Sequence, residues 1–574
     1  MSKSAKLKLA IVSPPCMRPA SPPLGPAVLS SYLEKNSPDI KVRAYDLNLL
    51  YYDRVLDDLK KGNFKIRLYD WNEETTAQRV GQAVDFLKHG TREKFDLKLY
   101  HHFVTIFLSF ENIFNAFMSE MAKRHLIGLS VPDRVKIFFE DLVDPVLDYD
   151  PDMVGLSVLF NSQTVFALLM AALIKEKKDI KVVLGGARLG VMRYPKRLFK
   201  EPWVFSTKDR TRQLEFGRYV DFLIPGEGEK ALLNLCMAQN EKDLAEVPNL
   251  VYVKDQEVRK NPPHVIHDLD QIPGPDFSDF RLDRYIGPAV VLPFLSSRGC
   301  PWGRCTFCTH HHSYLLYREL EIEECLKQIR YLKEHYGTPF LNFYDEMIPP
   351  DRFRDLAQAI INKGIEISYA AYAKPTREFD TDLFKLIHRS GGRVIMWGVE
   401  SASQRVLNLM RKGTRIKEVE RVLQDARHAG LMNLIFIMFG FPTETEAEFN
   451  ETLNFLRKNQ DYINALSKGK FVLAEGSLIQ KKPEKFAITE IREAAESRVY
   501  NRIFDYQVSK GLGPGEVSAL YEKSLNYLES IGFTPRFGAY REHLLAYAAS
   551  RDIHKRRRCH ISRNRRNGTL CRRS

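Results

Sequence analysis

The chain has 574 residues, 44% of them hydrophobic and 28% charged, and a formal net charge of +14. That length provides for roughly two to four domains, each with enough apolar content for its own core. Its eight cysteines lack the dense, even spacing of a secreted disulfide framework, which excludes that class.

The first segment, Met1 to Val12, holds too short an apolar stretch for a signal peptide before Ser13-Pro14-Pro15 stops it. The most lipid-like stretches are His102 to Met118, broken by Glu111, Asn112 and Asn115, and Leu159 to Ile174, which opens with Asn161-Ser162-Gln163-Thr164. Neither supplies the roughly 20 clean apolar residues of a bilayer span. A reducing, cytoplasmic location is expected.

Leu7 to Val12 predicts a first strand, Leu24 to Glu34 a helix after a proline-rich turn, and Ile40 to Tyr45 a second strand ending at Asp46. A helical excursion rich in Phe, Tyr and Lys follows over about 49–143. The alternation resumes with a strand from Met153 to Leu159, a helix from Thr164 to Glu176, and a strand from Ile180 to Leu184 that runs into Gly185-Gly186. A last strand, Tyr219 to Ile224, ends at Pro225-Gly226-Glu227-Gly228-Glu229. The reading is an open, doubly wound parallel sheet over 1–266 with a helical insertion.

Residues 267–288 are rich in Pro, Gly and Asp and read as a connector. Over 289–480 the alternation becomes regular, with strands expected at Val290 to Leu295, Pro339 to Tyr344, Ile365 to Ala371, Arg393 to Val399, Leu431 to Phe439 and Ala465 to Val472. Between them Ile322, Leu326, Ile329 and Leu332 fall at helical spacing. Six such units make a partial (β/α)6 barrel, whose catalytic groups belong at the carboxyl ends of the strands. Residues 481–550 read as helical. From Arg551 to the end there are ten Lys or Arg against the single acid Asp552, a tail expected to be solvated and disordered. It lacks interleaved aromatics for stacking bases, so no nucleic-acid partner is expected.

Just after the first barrel strand stands Cys300-Pro-Trp-Gly-Arg-Cys305-Thr-Phe-Cys308. Three thiolates at that spacing can hold three corners of a cubic iron–sulfur cluster and leave the fourth iron open to a small molecule, with Phe307 presenting an apolar face beside it. The same cysteines followed by His310, His311 and His312 can instead make a closed zinc site. The surrounding buried strand and barrel-like alternation favour iron. A non-enzymatic zinc-bearing nucleic-acid-binding protein stays open as the alternative from a different class.

The trio resembles the signature of the radical S-adenosylmethionine (SAM) superfamily, Cys-x3-Cys-x2-Cys with an aromatic residue before the last cysteine, although the first gap here holds four residues. The first domain resembles the cobalamin-binding domain that precedes many such barrels: Ser157-Val158-Leu159 and Gly185-Gly186 match two of its three motifs. The third, Asp-x-His-x-x-Gly, is missing, because the turn over 13–25 holds no histidine. The resemblance implies a 4Fe–4S cluster on Cys300, Cys305 and Cys308, SAM beside Phe307, and cobalamin held without a histidine ligand.

It further implies that Asp345 and Glu346 contact the SAM amino group, that Glu400 and Ser401 meet the ribose, and that the segment Ile437 to Thr445 passes the adenine. Ser401 can also cap the following helix. Lys374 falls where relatives place a basic residue. Ser157, Leu159, Gly185, Gly186, Gly226 and Glu227 are the expected cobalamin contacts. Cys16 and Cys236 are too few to hold a second cluster, which argues against a methylthiotransferase. The implied activity is C-methylation of an unactivated carbon in a small molecule or peptide, with an electron donor such as flavodoxin or ferredoxin. Radical rearrangement or cyclisation without methyl transfer is the alternative within the same superfamily.

Overall fold

The computed structural model describes residues 7–90, 95–190, 197–200, 214–310, 314–493, 503–533 and 536–551. His311, His312 and the basic tail beyond Arg551 lie outside the described residues. Among the described residues no helix is long and apolar enough to cross a membrane.

The first sheet is built from β1 (Leu7–Ser13), β2 (Ile40–Asp46), β3 (Met153–Ser157), β4 (Lys181–Gly185), β5 (Phe222–Leu223), β6 (Val251–Lys254) and β7 (Glu257–Lys260), in the order β2-β1-β3-β4-β5-β6-β7. The first five run parallel, and β1, buried from Leu9 to Val12, has the continuous apolar run of a strand covered on both faces. The last two form an antiparallel hairpin at its edge, which the sequence reading did not separate from the preceding alternation.

Between β2 and β3 the helices Leu47–Lys60, Glu73–Asp85, Leu97–Leu126 and Asp133–Asp148 build the insertion around buried Tyr51, Phe107, Phe110, Phe114 and Phe138. Asp46 and Asp96 start two of them by accepting hydrogen bonds from first-turn N–H groups. Helix Asn161–Lys177 is buried on all sides from Gln163 to Ile174, because it packs against the sheet and under the insertion at once.

The second sheet comprises β8 (Leu292–Phe294), a short hairpin pair β9 (Ser297–Arg298) and β10 (Arg318–Glu319) standing beside it, and then β11 (Phe340–Phe343), β12 (Ser368–Ala373), β13 (Gly392–Glu400), β14 (Met432–Phe439) and β15 (Ala465–Lys470). Six of these lie in the parallel order β15-β14-β13-β12-β11-β8. Their side chains alternate strictly. Ile395, Trp397 and Val399 of β13 join the outer apolar cluster with the helices, whereas Val394 and Met396 join Ala370, Met432 and Leu434 on the inner face. That inner face is filled by Leu544, Leu545 and Ala548 of a helix over 541–551, which also meets Tyr100, Phe107 and Phe110 of the insertion.

The connector is a packed strap: Ile272, Phe277, Phe280, Tyr285 and Ile286 are buried, and the Tyr336 hydroxyl accepts from the Phe277 N–H at 2.7 Å. The region after residue 480 differs from the helical expectation. After a short helical turn at Pro483–Phe486, β17 (Ile488–Glu493) and β18 (Ile503–Val508) form an antiparallel sheet with the earlier β16 (Leu473–Ala474), and α-helices resume from Pro514. Ile488, Ile491, Phe504, Tyr506 and Val508 lay one apolar face on Phe441, Phe471 and Phe486; Phe504, Tyr506 and Val508 do so with a period of two that a helix cannot present, and a register shift after Ile488 brings Ile491 to the same face.

Candidate functional site

The cysteine loop leaves β9 through Gly299, whose φ of +87° and closeness to the Leu316 carbonyl, 2.6 Å from where a Cβ would stand, admit only glycine. The loop is clamped at its centre. The Thr306 N–H donates to the Met410 carbonyl at 2.9 Å, its hydroxyl to the Leu409 carbonyl at 3.1 Å, and its own carbonyl accepts from Ile479 at 3.0 Å. Phe307 packs on the apolar cluster formed by Met410, Phe441 and Phe471.

The four-residue first gap is anchored by Trp302. Its indole N–H donates to the Arg411 carbonyl at 2.9 Å, and its ring occupies the space a Cβ on Gly413 would need, 2.3 Å away. The Lys374 ammonium stands 3.2 Å from the ring centre. Beyond the loop an open cavity of 710 Å³ is lined by Trp302, Arg304, Cys305, Arg411 and Lys481.

Cys300, Cys305 and Cys308 are free and half-buried. Burial raises Cys305 and pushes Cys308 up to about 12, and the charge of a Cys300 thiolate adds to both shifts. Among the described residues no three His, Cys, Asp or Glu side chains converge as ligands of one ion. A cubic cluster spreads its thiolates over separate irons, and that is the donor set these residues fit.

At the carboxyl ends of the next strands the expected contacts divide. Asp345 is a correction: it is 1% exposed, and its carboxylate accepts from the Ser296 N–H at 3.2 Å and from the Ser296 and Ser297 hydroxyls at 2.8 and 2.5 Å. It continues the outward parity of Leu341 and Phe343, so it ties β11 to the end of β8 rather than facing the mouth. Glu346 has the inward parity and meets Nδ1 of His310 at 2.8 Å, which raises the imidazole's pKa.

Glu400 sits at a bulge with φ of +73°, a conformation that costs a non-glycine residue about 1–2 kcal/mol. Its carboxylate pairs with the Lys412 ammonium at 2.9 Å, both side chains largely buried. Burial alone would lower Lys412; Glu400 and the Cys305 thiolate outweigh it and hold the ammonium above its ordinary value. A Cβ on Gly398 would lie 2.7 Å from that ammonium, so the glycine two residues before Glu400 makes the seat for the pair. Ser401 is fully buried and its hydroxyl accepts from the Ser403 N–H at 3.2 Å. The helix Gln404–Leu409 is capped by Ser403 instead, whose hydroxyl accepts from Val406.

In the first sheet the turns after β3 and β4 interlock. The Val158 N–H donates to the Gly185 carbonyl at 2.9 Å, the Arg188 N–H to the Val158 carbonyl at 3.0 Å, and Gly186 has a φ of +102° because a Cβ there would meet the Val158 carbonyl at 2.4 Å. Ser157 Oγ lies 3.1 Å from where Gly25 would carry a side chain. Leu159 and Phe160 are half exposed at this edge, an apolar rim over glycine turns that fits a broad ring laid against backbone. The turn after β1 is fastened to it by Ser162, donating to the Cys16 carbonyl, and Gln163, donating to the Pro14 carbonyl, both at 2.7 Å.

Gly226, with φ of +106°, turns the chain after β5, and Glu227 is a second correction. It is buried and paired with Arg318 at 2.7 Å and Arg298 at 3.4 Å, and it accepts from the Ile266 N–H at 2.8 Å. Glu229 pairs with Arg298 as well. These carboxylates clamp the first sheet to β9 and β10, the two strands flanking the cysteine loop. Sequence reasoning missed Trp302, Lys412, Arg298 and Arg318 in these roles; only the four-residue gap drew attention to the stretch that holds Trp302.

Residues 294–456 match the family model of the Radical SAM superfamily. Among curated proteins the chain is 28% identical over 332 residues to an uncharacterized methyltransferase of Pyrococcus horikoshii, covering 56% of this chain and 67% of that one. The next curated relatives are matched over about half of their own length. The fold is similar to the cobalamin-dependent S-adenosylmethionine radical enzyme OxsB with aqua-cobalamin and S-adenosylmethionine bound, with a TM-score of 0.61 and 18% identity over 92% of this chain and 67% of that one. It is also similar to the radical S-adenosylmethionine methyltransferase TsrM from Kitasatospora setae with cobalamin and a [4Fe-4S] cluster bound, with a TM-score of 0.58 and 16% identity over 95% of this chain and 99% of that one.

Proposed function

We propose that the chain, whose residues 294–456 match the Radical SAM superfamily model, is a cobalamin-dependent radical SAM enzyme that methylates an unactivated carbon. The observation that carries this reading is the thiol trio on one clamped loop at the carboxyl ends of the barrel strands, facing a first sheet whose glycine turns and apolar rim suit a corrin. When bound, the cluster with SAM supplies a carbon-centred radical and methylcobalamin supplies the methyl group.

Cys300, Cys305 and Cys308 would hold three irons, and Phe307 with the cover of β16, β17 and β18 excludes water from their apolar side. Glu346 offers a carboxylate to an ammonium, while Asp345 fixes the strand end beneath it. Lys412 holds Glu400 in its strained conformation and sets a positive charge beside the thiolates. Ser157, Leu159, Gly185 and Gly186 offer the corrin an edge without an imidazole. Gly226 shapes the neighbouring turn and Glu227 supports it from behind. We place the boundary between the two units in the connector 267–288. The Arg304, Arg411 and Lys481 side of the cysteine loop suits an acidic electron donor.

The test is anaerobic protein reconstituted with iron, sulfide and reduced cobalamin, supplied with SAM. Formation of both 5′-deoxyadenosine and S-adenosylhomocysteine supports the reading. 5′-Deoxyadenosine alone, with no methylation of the cobalt under any condition, rejects methyl transfer and leaves rearrangement or cyclisation.

A further inference from the structure

Arg541 opens the helix over 541–551 that fills the inner face of the barrel. Its guanidinium donates to the Tyr372 hydroxyl and lies 5.6 and 5.1 Å from the ring centres of Tyr372 and Phe436, which are themselves stacked 6.0 Å apart. Tyr372 stands two residues before Lys374 on the same inward parity, and Tyr344 two residues before Glu346. One pleat repeat is about 7 Å. Arg541 therefore sits one side-chain layer below the mouth at which the cysteine loop, Glu346 and Glu400 are gathered.

A guanidinium has five N–H donors. Among the described residues Arg541 uses them for one hydrogen bond, to a neutral hydroxyl, and has no carboxylate at ion-pair distance. The adjacent Glu542 is turned to the Tyr344 hydroxyl at 2.7 Å; it lends Arg541 a nearby negative charge without occupying its fork. A largely enclosed cation against aromatic walls is the arrangement that a bidentate oxyanion completes, since pairing offsets the desolvation of both charges. A second arginine approaches from the other side of the gap. Arg18, on the turn after β1, lies 5.7 Å from the ring centre of Tyr540, the residue preceding Arg541, and is exposed.

We propose that Arg541, with the Tyr372 hydroxyl, anchors an oxyanion of the substrate, a carboxylate or a phosphoryl group, so that the substrate is an acidic organic molecule lying between the first sheet's carboxyl edge and the barrel mouth. This rests on the functional reading above. Arg18 adds positive charge at the entrance to that gap.

The test measures binding of two probes, phenylphosphonate and benzoate, to the full-length iron-reconstituted protein by ligand-observed NMR, with SAM cleavage assayed on the same wild-type sample. One probe or both should bind, R541M should weaken that binding about tenfold or more, R541K should keep part of it, and Y372F should weaken it less than R541M. R377M, at an exposed arginine paired with Glu378, should bind as wild type does. Should R541M fail to fold, the R541K and Y372F comparison decides alone. Wild type that cleaves SAM yet binds neither probe, or binding that R541M, R541K and Y372F leave untouched, overturns the anchor; wild type that cannot cleave SAM at all overturns the functional reading instead.

Discussion

The Lys374 ammonium stands 3.2 Å from the centre of the Trp302 ring, so the four-residue first cysteine gap is held by a cation on the neighbouring strand end. Burial, and then repulsion from Lys412, hold Lys374 down to about 8. W302L removes the ring face and the indole donor while keeping an apolar side chain. A loss of about 1–2 kcal/mol is expected, seen as a lower Tm and as less iron per chain after anaerobic reconstitution. An unchanged Tm and iron content would show that Trp302 does not hold the loop.

Lys412 and Glu400 form a buried pair at 2.9 Å. K412M leaves the carboxylate uncompensated and should cost about 3–5 kcal/mol in denaturant unfolding. The double variant K412M/E400Q should recover most of that loss, because it removes the stranded charge. Equal destabilisation by the single and double variants would contradict the pairing as the source of the cost.

Much of the barrel is legible in the sequence because each strand is a short apolar run between amphipathic helices, and the alternation of Val394, Met396 and Gly398 against Ile395, Trp397 and Val399 fixes which face is inside. What stays hidden depends on partners far along the chain. Nothing near Glu227 in sequence announces Arg318, 91 residues away, and nothing near Arg541 announces Tyr372, 169 residues away. Asp345 reads like Glu346 until the parity of β11 separates them. The hairpin of β6 and β7 turns on Asp255 and Gln256, both at positive φ, without the Asn-Gly pair that usually signals such a turn. In β18 charged and polar residues mask the period of two that Phe504, Tyr506 and Val508 carry, and in β17 a register shift after Ile488 breaks it before Ile491.

Glu227 joins the two sheets through Arg318 and Arg298. E227A strands the buried Arg318 guanidinium, while Arg298 keeps Glu229 as its partner, and a loss of about 3 kcal/mol is expected. Limited proteolysis should then reach the connector 267–288 sooner than in wild type. A variant as stable and as resistant as wild type would show that the carboxylate does not clamp the sheets.

Glu111 is buried beneath Tyr540, whose hydroxyl donates to it at 2.8 Å; burial raises it from about 4.5 to about 7 against the opposing pull of Tyr540 and Arg18. Below pH 4.5 both folded and unfolded states carry the proton and the contribution to stability is full. Between 4.5 and 7 the unfolded chain ionises first and stability falls; above 7 the loss is complete. E111Q should therefore flatten this window and be more stable than wild type at pH 8 by on the order of 2–3 kcal/mol. Parallel stability profiles of the two proteins from pH 4.5 to 8 would contradict it.

The most direct measurement is iron and acid-labile sulfide in anaerobically reconstituted protein, taken together with 5′-deoxyadenosine formed from SAM under reduction. About four of each per chain are expected, with cleavage abolished when Cys300, Cys305 or Cys308 is replaced singly by serine. Protein without labile sulfide, or serine variants that cleave SAM as wild type does, would contradict the account.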